Sequence, residues 1–104
     1  MALKMYILVR DSIDVGHAMT ACAHASLACY LDFQDQNTVK EWVKNSFRKV
    51  VCKVTDAEFE EAKTYEGLAH RIMTESGLGG AETAIVFAPH DEFPAFFKKL
   101  KLYK

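Results

Sequence analysis

The chain alternates between short runs in which nearly every residue is apolar and longer stretches in which apolar residues return every three or four positions. "KMYILVR" (Lys4–Arg10) is of the first kind, and a continuous run of strand formers predicts a strand covered on both faces. From about Asp14 to Phe33 the period is helical. Ala18, Cys22, Ala25 and Cys29 recur at i, i+4, i+7 and i+11, a stripe of small residues that lets a helix lie close on a sheet. "NTVKEWVKNSF" predicts a second helix, with Thr38 and Glu41 at capping-box spacing and Val39, Trp42 and Val43 as its apolar face. "RKVVCKV" (Arg48–Val54) reads as a second strand. Thr55 with Glu58 repeats the capping box and opens a third helix whose Phe59 and Ala62 face inward.

"HRIMT" (His70–Thr74) predicts a short third strand, "GLGG" (Gly77–Gly80) a loop, and "ETAIVFA" (Glu82–Ala88) a fourth strand. The last helix is "DEFPAFFKKL", with Pro94 in its first turn, where a missing N–H costs little. Its Phe93, Phe96, Phe97 and Leu100 fall at i, i+3, i+4 and i+7, an inward face. The order β-α-α-β-α-β-β-α predicts an α/β sandwich with a mixed sheet. The short Gly-rich link makes strands three and four antiparallel neighbours.

Composition narrows the class. A chain of 104 residues is expected to form one domain over its whole length, 1–104. Half of its residues are hydrophobic and 26% charged, the profile of a soluble globular protein. No apolar run approaches the roughly 20 residues of a membrane span, so no membrane partner is expected. The N-terminus lacks a basic region followed by a long apolar one, which argues against secretion. Cys22, Cys29 and Cys52 make an odd set without CxxC spacing, and they read as reduced, buried thiols in a cytoplasmic protein. The net charge of −1 gives no global attraction to nucleic acid. Lysines 98, 99, 101 and 104 crowd one end and Lys40, Lys44, Arg48 and Lys49 another segment; charge alone makes both a solvated surface.

In α/β sheets, ligands gather beyond the carboxyl ends of parallel strands, where helix N-termini point. That edge would collect Arg10, Asp11, Ser12, Asp14 and His17 after strand one, Thr55 and Asp56 after strand two, and Thr74, Glu75 and Ser76 after strand three. A histidine in the first turn of a helix near carboxylates can act as a general base or proton shuttle. Spacing alone favours the simpler alternative, in which Asp14 caps the helix and His17 is merely exposed.

No metal is expected. His17 and His24 stand seven residues apart on one helix. Their backbones are thus separated by about 10.5 Å, too far for one zinc ion with bonds near 2 Å. Nor is a cofactor expected: "GLGG" lacks the GxGxxG and GxxxxGK[ST] patterns and joins two strands instead of opening a helix. Cys22 and Cys29 on the apolar stripe and Cys52 in mid-strand are packing thiols, not nucleophiles.

Four stretches also carry a resemblance. "ILVR" followed by a short turn and Gly16, then "ACAHASLACY", "RKVVCKV" and the chain end "KKLKLY" together resemble the peptidyl-tRNA hydrolase type 2 family over nearly the whole chain. The second stretch is similar to that family's small-residue helix with its Cys-Ser-His-Ala segment, and the last to its terminal Leu-Lys-Leu-Tyr. The resemblance implies a three-layer α/β/α sandwich around a four-stranded mixed sheet with one strand antiparallel. It further implies an esterase that frees tRNA from prematurely released peptides by cleaving the ester at the terminal ribose, which would place the reaction at the strand-one edge.

The chain departs from the family pattern in the turn after strand one, which is two residues shorter. His17 then stands where the family has its functional lysine, and Ala21 where it has a functional glutamine. Glu75, Ser76 and Gly77 of "ESGLGG" stand for an Asp-Ala-Gly stretch, and the Arg-Thr-containing loop that follows it in the family is missing. His24 matches the family's helix histidine, here read as partly structural.

The expectation is therefore an esterase with His17 as general base or electrostatic stabiliser, Glu75 as its orienting partner and Arg10 as a phosphate contact. Asp11, Ser12, Asp14, Thr74, Ser76 and Gly77 would line the substrate. The partners would be tRNA, held by a local basic patch, and a second copy of the chain. Two alternatives stay open: a non-catalytic binding module on the same fold, and an enzyme acting on a small ligand.

Overall fold

The computed structural model describes residues 2–104, and among these the chain forms four α-helices and one sheet of five strands. In chain order they are β1 (Lys4–Arg10), α1 (Val15–Phe33), α2 (Asn37–Asn45), β2 (Arg48–Val54), α3 (Asp56–Ala62), β3 (His70–Glu75), a 3-10 turn at Ser76–Leu78, β4 (Ala81–His90), α4 (Ala95–Lys98) and β5 (Lys101–Leu102). The strands lie in the order β3-β4-β1-β2-β5. β1 and β2 run parallel, joined by α1 and α2, while β4 runs antiparallel to both of its neighbours and β5 antiparallel to β2.

Alternation along β1 explains the layers. Met5, Ile7 and Val9 point into one core with Ala18, Ala21, Ala25 and Cys29 of α1 and Val39 and Trp42 of α2. Tyr6 and Leu8 point into the other with Phe59 and Ala62 of α3 and Phe93, Phe97 and Leu100 around α4. Because both faces are covered, β1 and β4 read as unbroken apolar runs rather than alternating ones. Trp42 is buried with its indole N–H donating to the Arg48 carbonyl at 2.8 Å, so its polar atom is satisfied.

Several expectations change. The sheet has five strands, not four, because Lys101–Leu102 pairs with Cys52 and Lys53 of β2; two strands, β4 and β5, therefore oppose the other three. The capping box of Thr55 and Glu58 forms as expected, with bonds of 2.8 and 3.1 Å. The one at Thr38 and Glu41 does not: α2 starts at Asn37 after Gln36, without a side-chain cap, and Glu41 takes Asn45 instead. That helix ends at Asn45, not Phe47. Phe47 adopts φ 61° while its N–H joins that of Ser46 on the Trp42 carbonyl, and stacking on Trp42 at 5.0 Å holds the aromatic ring in a conformation glycine usually takes.

The last helix shrinks to Ala95–Lys98 because Pro94 is extended, with ψ 156°. The Gly-rich loop makes a single 3-10 turn closed by Gly79 at φ 68° and followed by Gly80 at φ 82°, values that L side chains rarely adopt.

The α1 stripe is rotated by one position at its N-terminal half: Ala21, not Cys22, is buried, and Cys22 is half-buried. Burial pushes the Cys29 thiol up to about 12, with Asp32 adding to it, and Cys52 up to about 11, with Glu58 adding; burial also raises Cys22. Reaction of thiols needs the thiolate. In the native protein at mildly alkaline pH, a maleimide should therefore modify Cys22 first and Cys29 and Cys52 only on unfolding. Peptide mapping by mass spectrometry checks the order, and early modification of Cys29 would contradict it.

Candidate active site

The carboxyl ends of β1 and β2 and the N-terminus of α1 meet at one edge of the sheet. Asp14 is the N-cap of α1. Its Oδ2 accepts from the His17 backbone N–H at 3.3 Å, and its Oδ1 lies 2.7 Å from His17 Nδ1. One carboxylate thus closes the helix and fixes the imidazole, as i, i+3 spacing on a first turn permits. The two hydrogen bonds from His17 hold the Asp14 carboxyl below the usual carboxylate range. An ionised Asp14 accepts from Nδ1–H, and in that tautomer Nε2 of a neutral ring is an open acceptor.

Nε2 faces the loop after β3. A Cβ built on Gly77 would lie 3.6 Å from His17 Nε2 and 3.3 Å from Glu75 Oε2, so this residue is where the two side chains converge and a side chain there would crowd both. Glu75 Oε2 accepts from the Gly77 N–H at 3.0 Å. Asp14 thus contacts Nδ1 of the ring, while Glu75, expected as the orienting partner, lies on the Nε2 side and is held by its own loop. Sequence spacing had supplied Asp14 as a cap and lining residue, and the same i, i+3 spacing that suits a cap also suits the ring.

Arg10 is likewise engaged. Its Nε and Nη2 donate to Asp56 Oδ1 at 3.0 and 2.8 Å, its Nη1 donates to the Glu82 carbonyl at 3.2 Å, and its guanidinium lies 5.2 Å from the Phe59 ring centre. It ties β1 to α3 and β4, so its donors do not point at an open phosphate position. Lys63 is taken up in the same way, donating to Glu82 at 2.6 Å and Glu60 at 3.1 Å. These two cations are paired, and Asp11, Asp14 and Glu75 lie at the same edge.

The other expected residues lie at the same edge. Asp11 and Ser12 are exposed in the turn after β1, where the Asp11 N–H donates to the Val54 carbonyl at 2.7 Å. Thr74 is exposed next to a bulge between β3 and β4, and Ser76 opens the 3-10 turn. His24 is exposed further along α1. Among the described residues, no group of three or more His, Cys, Asp or Glu side chains is placed to hold a metal ion, and no helix is long and apolar enough to cross a membrane.

Further basic residues lie along β2 and beyond it. Lys53, Lys101, Leu102 and Lys104 line a groove of about 400 Å³ at the β2–β5 edge. Lys40, Lys44, Arg48 and Lys49 are exposed around α2 and the start of β2, with Lys49 Nζ 3.4 Å from the Phe47 ring centre.

Against known proteins, the family model described as Peptidyl-tRNA hydrolase PTH2 matches residues 3–103, which is nearly the whole chain. No curated protein matches it.

Proposed function

The chain belongs to the Peptidyl-tRNA hydrolase PTH2 family, a hydrolase family, and on that premise we propose that it is an esterase that cleaves the bond between a peptide, or a blocked amino acid, and tRNA. The observation that carries the reading is the Asp14–His17 contact of 2.7 Å, which leaves Nε2 as an acceptor facing Gly77. Water bound there attacks the ester carbonyl as Nε2 takes its proton. Collapse of the tetrahedral adduct expels the ribose oxygen, which recovers the proton from Nε2. The products are a free carboxylic acid and the tRNA hydroxyl. Asp14 stays ionised and Glu75 lies close by, so the imidazolium formed on the way has two carboxylates to favour it.

On this reading Asp11, Ser12, Thr74, Ser76 and Gly77 would border the ester, with Arg10 supporting that edge through Asp56 and the Glu82 carbonyl. The carboxylates of Asp11, Asp14 and Glu75 do not favour phosphates, so the tRNA body is assigned to the lysines of the β2–β5 groove and the α2 segment, where its backbone charge is matched. Release of the blocked amino acid from an N-blocked aminoacyl-tRNA by the purified chain tests the proposal.

Gly77→Leu gives a second expected result. The new side chain falls between His17 Nε2 and Glu75 Oε2, and misplacement of a reacting group by an ångström costs up to about 100-fold. Ester release should drop by at least about tenfold while the urea midpoint stays near that of the unaltered chain, because Gly77 is exposed in a loop. Full activity in this variant would move the reaction away from Gly77.

A further inference from the structure

Phe47 holds a strained backbone conformation and buries little of its ring in return. Among the described residues it alone, glycines apart, has a positive φ, at 61°, and it is 59% exposed. Such positions persist where the surroundings over-determine them, and they recur at ligand clamps. The surroundings here are closely tied. The Ser46 and Phe47 N–H groups donate to the Trp42 carbonyl at 3.0 and 2.6 Å, and the Ser46 hydroxyl donates to the Leu3 carbonyl. Lys49 Nζ donates to the Phe47 carbonyl at 3.1 Å, and the Trp42 indole to the next carbonyl, that of Arg48. The ring is thus held out at the surface on a fixed frame.

One face of that ring is taken. Trp42 stacks on it at 5.0 Å, and Lys49 Nζ lies 3.4 Å from its centre and 5.0 Å from the centre of Trp42. A cation across the Phe47 ring from Trp42 would be much further from the indole, so Trp42 and Lys49 share the inner face. The outer face is left to solvent. Beside it runs a groove of about 430 Å³ lined by Leu27 and Tyr30 of α1, Val43 of α2 and Phe47 itself. That is within the roughly 300–1,000 Å³ of small-ligand sites.

We infer that the outer face of Phe47 is a stacking platform for one unpaired RNA base, seated in this groove, with the flanking phosphates on Lys40, Lys44 and Arg48. Charge chooses the occupant. Lys40, Lys44, Arg48 and Lys49 are exposed, and none is in an ion pair among the described residues. Of the acids nearby, Glu41 takes Asn45 and Asp32 pairs with Arg71, which leaves Asp35. An apolar slot rimmed by four cations would oppose like charges if it met itself, and an apolar peptide would leave the cations unmatched. A single RNA strand supplies a flat base and its phosphates on one unit, and stacking on an aromatic side chain is how splayed bases are held. Ser26 and Tyr30 add hydroxyls to the lining for the polar edge of the base.

Position says which base. Phe47 immediately precedes β2, at the end of the parallel strands remote from His17, and the seven residues of β2 put about 20 Å between the two ends. The base on Phe47 is therefore not that of the esterified nucleotide but one further along the same RNA. The inference rests on the proposed tRNA reading, in which the α2 segment only matches charge, and adds to it a contact that distinguishes unpaired from paired RNA.

Fluorescence anisotropy of a short labelled oligoadenylate, set beside an RNA duplex of the same length, tests this without reference to catalysis. The unaltered chain should bind the single strand, and more weakly as salt rises. Phe47→Gly, whose backbone takes this φ without strain, should weaken the single strand by about tenfold or more. It should leave the duplex, whose bases are already stacked, unchanged. Phe47→Leu, apolar but without a π-face, should do the same, whereas Phe47→Tyr should bind as the unaltered chain does. Lys44→Glu should weaken single strand and duplex alike. Absence of single-strand binding, equal losses on strand and duplex, or a Phe47→Leu variant as good as Phe47→Tyr overturns the inference. So does a Phe47→Gly variant altered only in its mass by sedimentation, which makes the groove a contact between copies. Ester release from an N-blocked aminoacyl-tRNA is read separately. Single-strand binding through Phe47 without release upholds the platform and overturns the esterase reading alone; release by a chain whose binding ignores Phe47 does the reverse.

Discussion

His17→Ala should lower ester release from an N-blocked aminoacyl-tRNA by about 10²–10⁴-fold, the range over which a positioned acid–base group acts. The fold should survive. The His17 side chain is 38% exposed, and the helix cap depends on its backbone N–H, which alanine keeps. The pH profile then separates the two roles open to an imidazole. A neutral ring that accepts the proton of water works only when deprotonated, which gives a rate that rises with pH. A cationic ring that stabilises charge gives one that falls.

Asp14 is not the source of either limb. Its hydrogen bonds with His17 hold it below the ordinary carboxylate range, so it stays ionised throughout. Asp14→Asn removes the anion that fixes the proton on Nδ1 and should cost less than His17→Ala while shifting the limb. His17→Lys introduces the residue type that the family resemblance places at this position. With a reference pKa of about 10.4 it stays cationic at neutral pH, so the limb should vanish. Turnover and pH profile both unchanged in His17→Ala would remove His17 from the chemistry and favour a binding module on this fold.

The parts of the molecule that could be read in advance are those where one strong constraint acts. β1 and β4 are buried on both faces, and their unbroken apolar runs, Met5–Val9 and Ala84–Ala88, rich in β-branched and aromatic residues, suit a doubly covered strand. Thr55 and Glu58 satisfy each other's backbone groups, so the start of α3 is a local event. The misreadings arise where local pattern and tertiary packing diverge. Phe93 keeps helical spacing with Phe96, Phe97 and Leu100, yet it enters the core from the extended segment before Ala95, because its contacts with Tyr6 at 4.6 Å and Phe97 at 5.1 Å need no helix. β5 has only two residues, and nothing local distinguishes Lys101–Leu102 from the end of a helix; the β2 edge makes it a strand.

The candidate site divides the same way. Its position follows from strand order, and the cap at Asp14 follows from spacing. The commitment of Arg10 to Asp56 and the Glu82 carbonyl joins three segments that are distant in the chain, and no pattern in the sequence announces it.

Phe97→Ala should be among the most damaging single changes to stability, at about 3–5 kcal/mol. Phe97 is 1% exposed, and five rings surround it: Phe87 at 4.9 Å, Phe93 at 5.1 Å, Tyr6 at 5.3 Å, Phe96 at 5.4 Å and Tyr65 at 5.5 Å. Truncation loses the transfer free energy of the ring and leaves a cavity that rings already engaged with one another cannot collapse to fill. Against a total of about 5–15 kcal/mol for a domain of this kind, that is a large share, and the thermal midpoint should fall by more than about 10 °C.

The loss extends beyond the core. α4 has four residues, too few to persist as an isolated helix, so Phe97 is what fixes it to the sheet. The next residues are Leu100, which packs in the same cluster as Cys52, and β5, whose Leu102 pairs with Cys52 along the edge of β2. Phe97→Ala should therefore loosen the chain end and raise the alkylation rate of Cys52 relative to Cys29, which lies on the sheet-facing side of α1 in the opposite core. Phe97→Leu, which refills most of the volume, should recover the larger part of the stability. Phe96→Ala is the control, since that ring is only partly buried and stacks at the margin on Tyr65 at 5.5 Å. Urea denaturation of the three variants reads the differences, and a Phe97→Ala midpoint close to that of Phe96→Ala would mean that the aromatic cluster does not anchor the end of the chain.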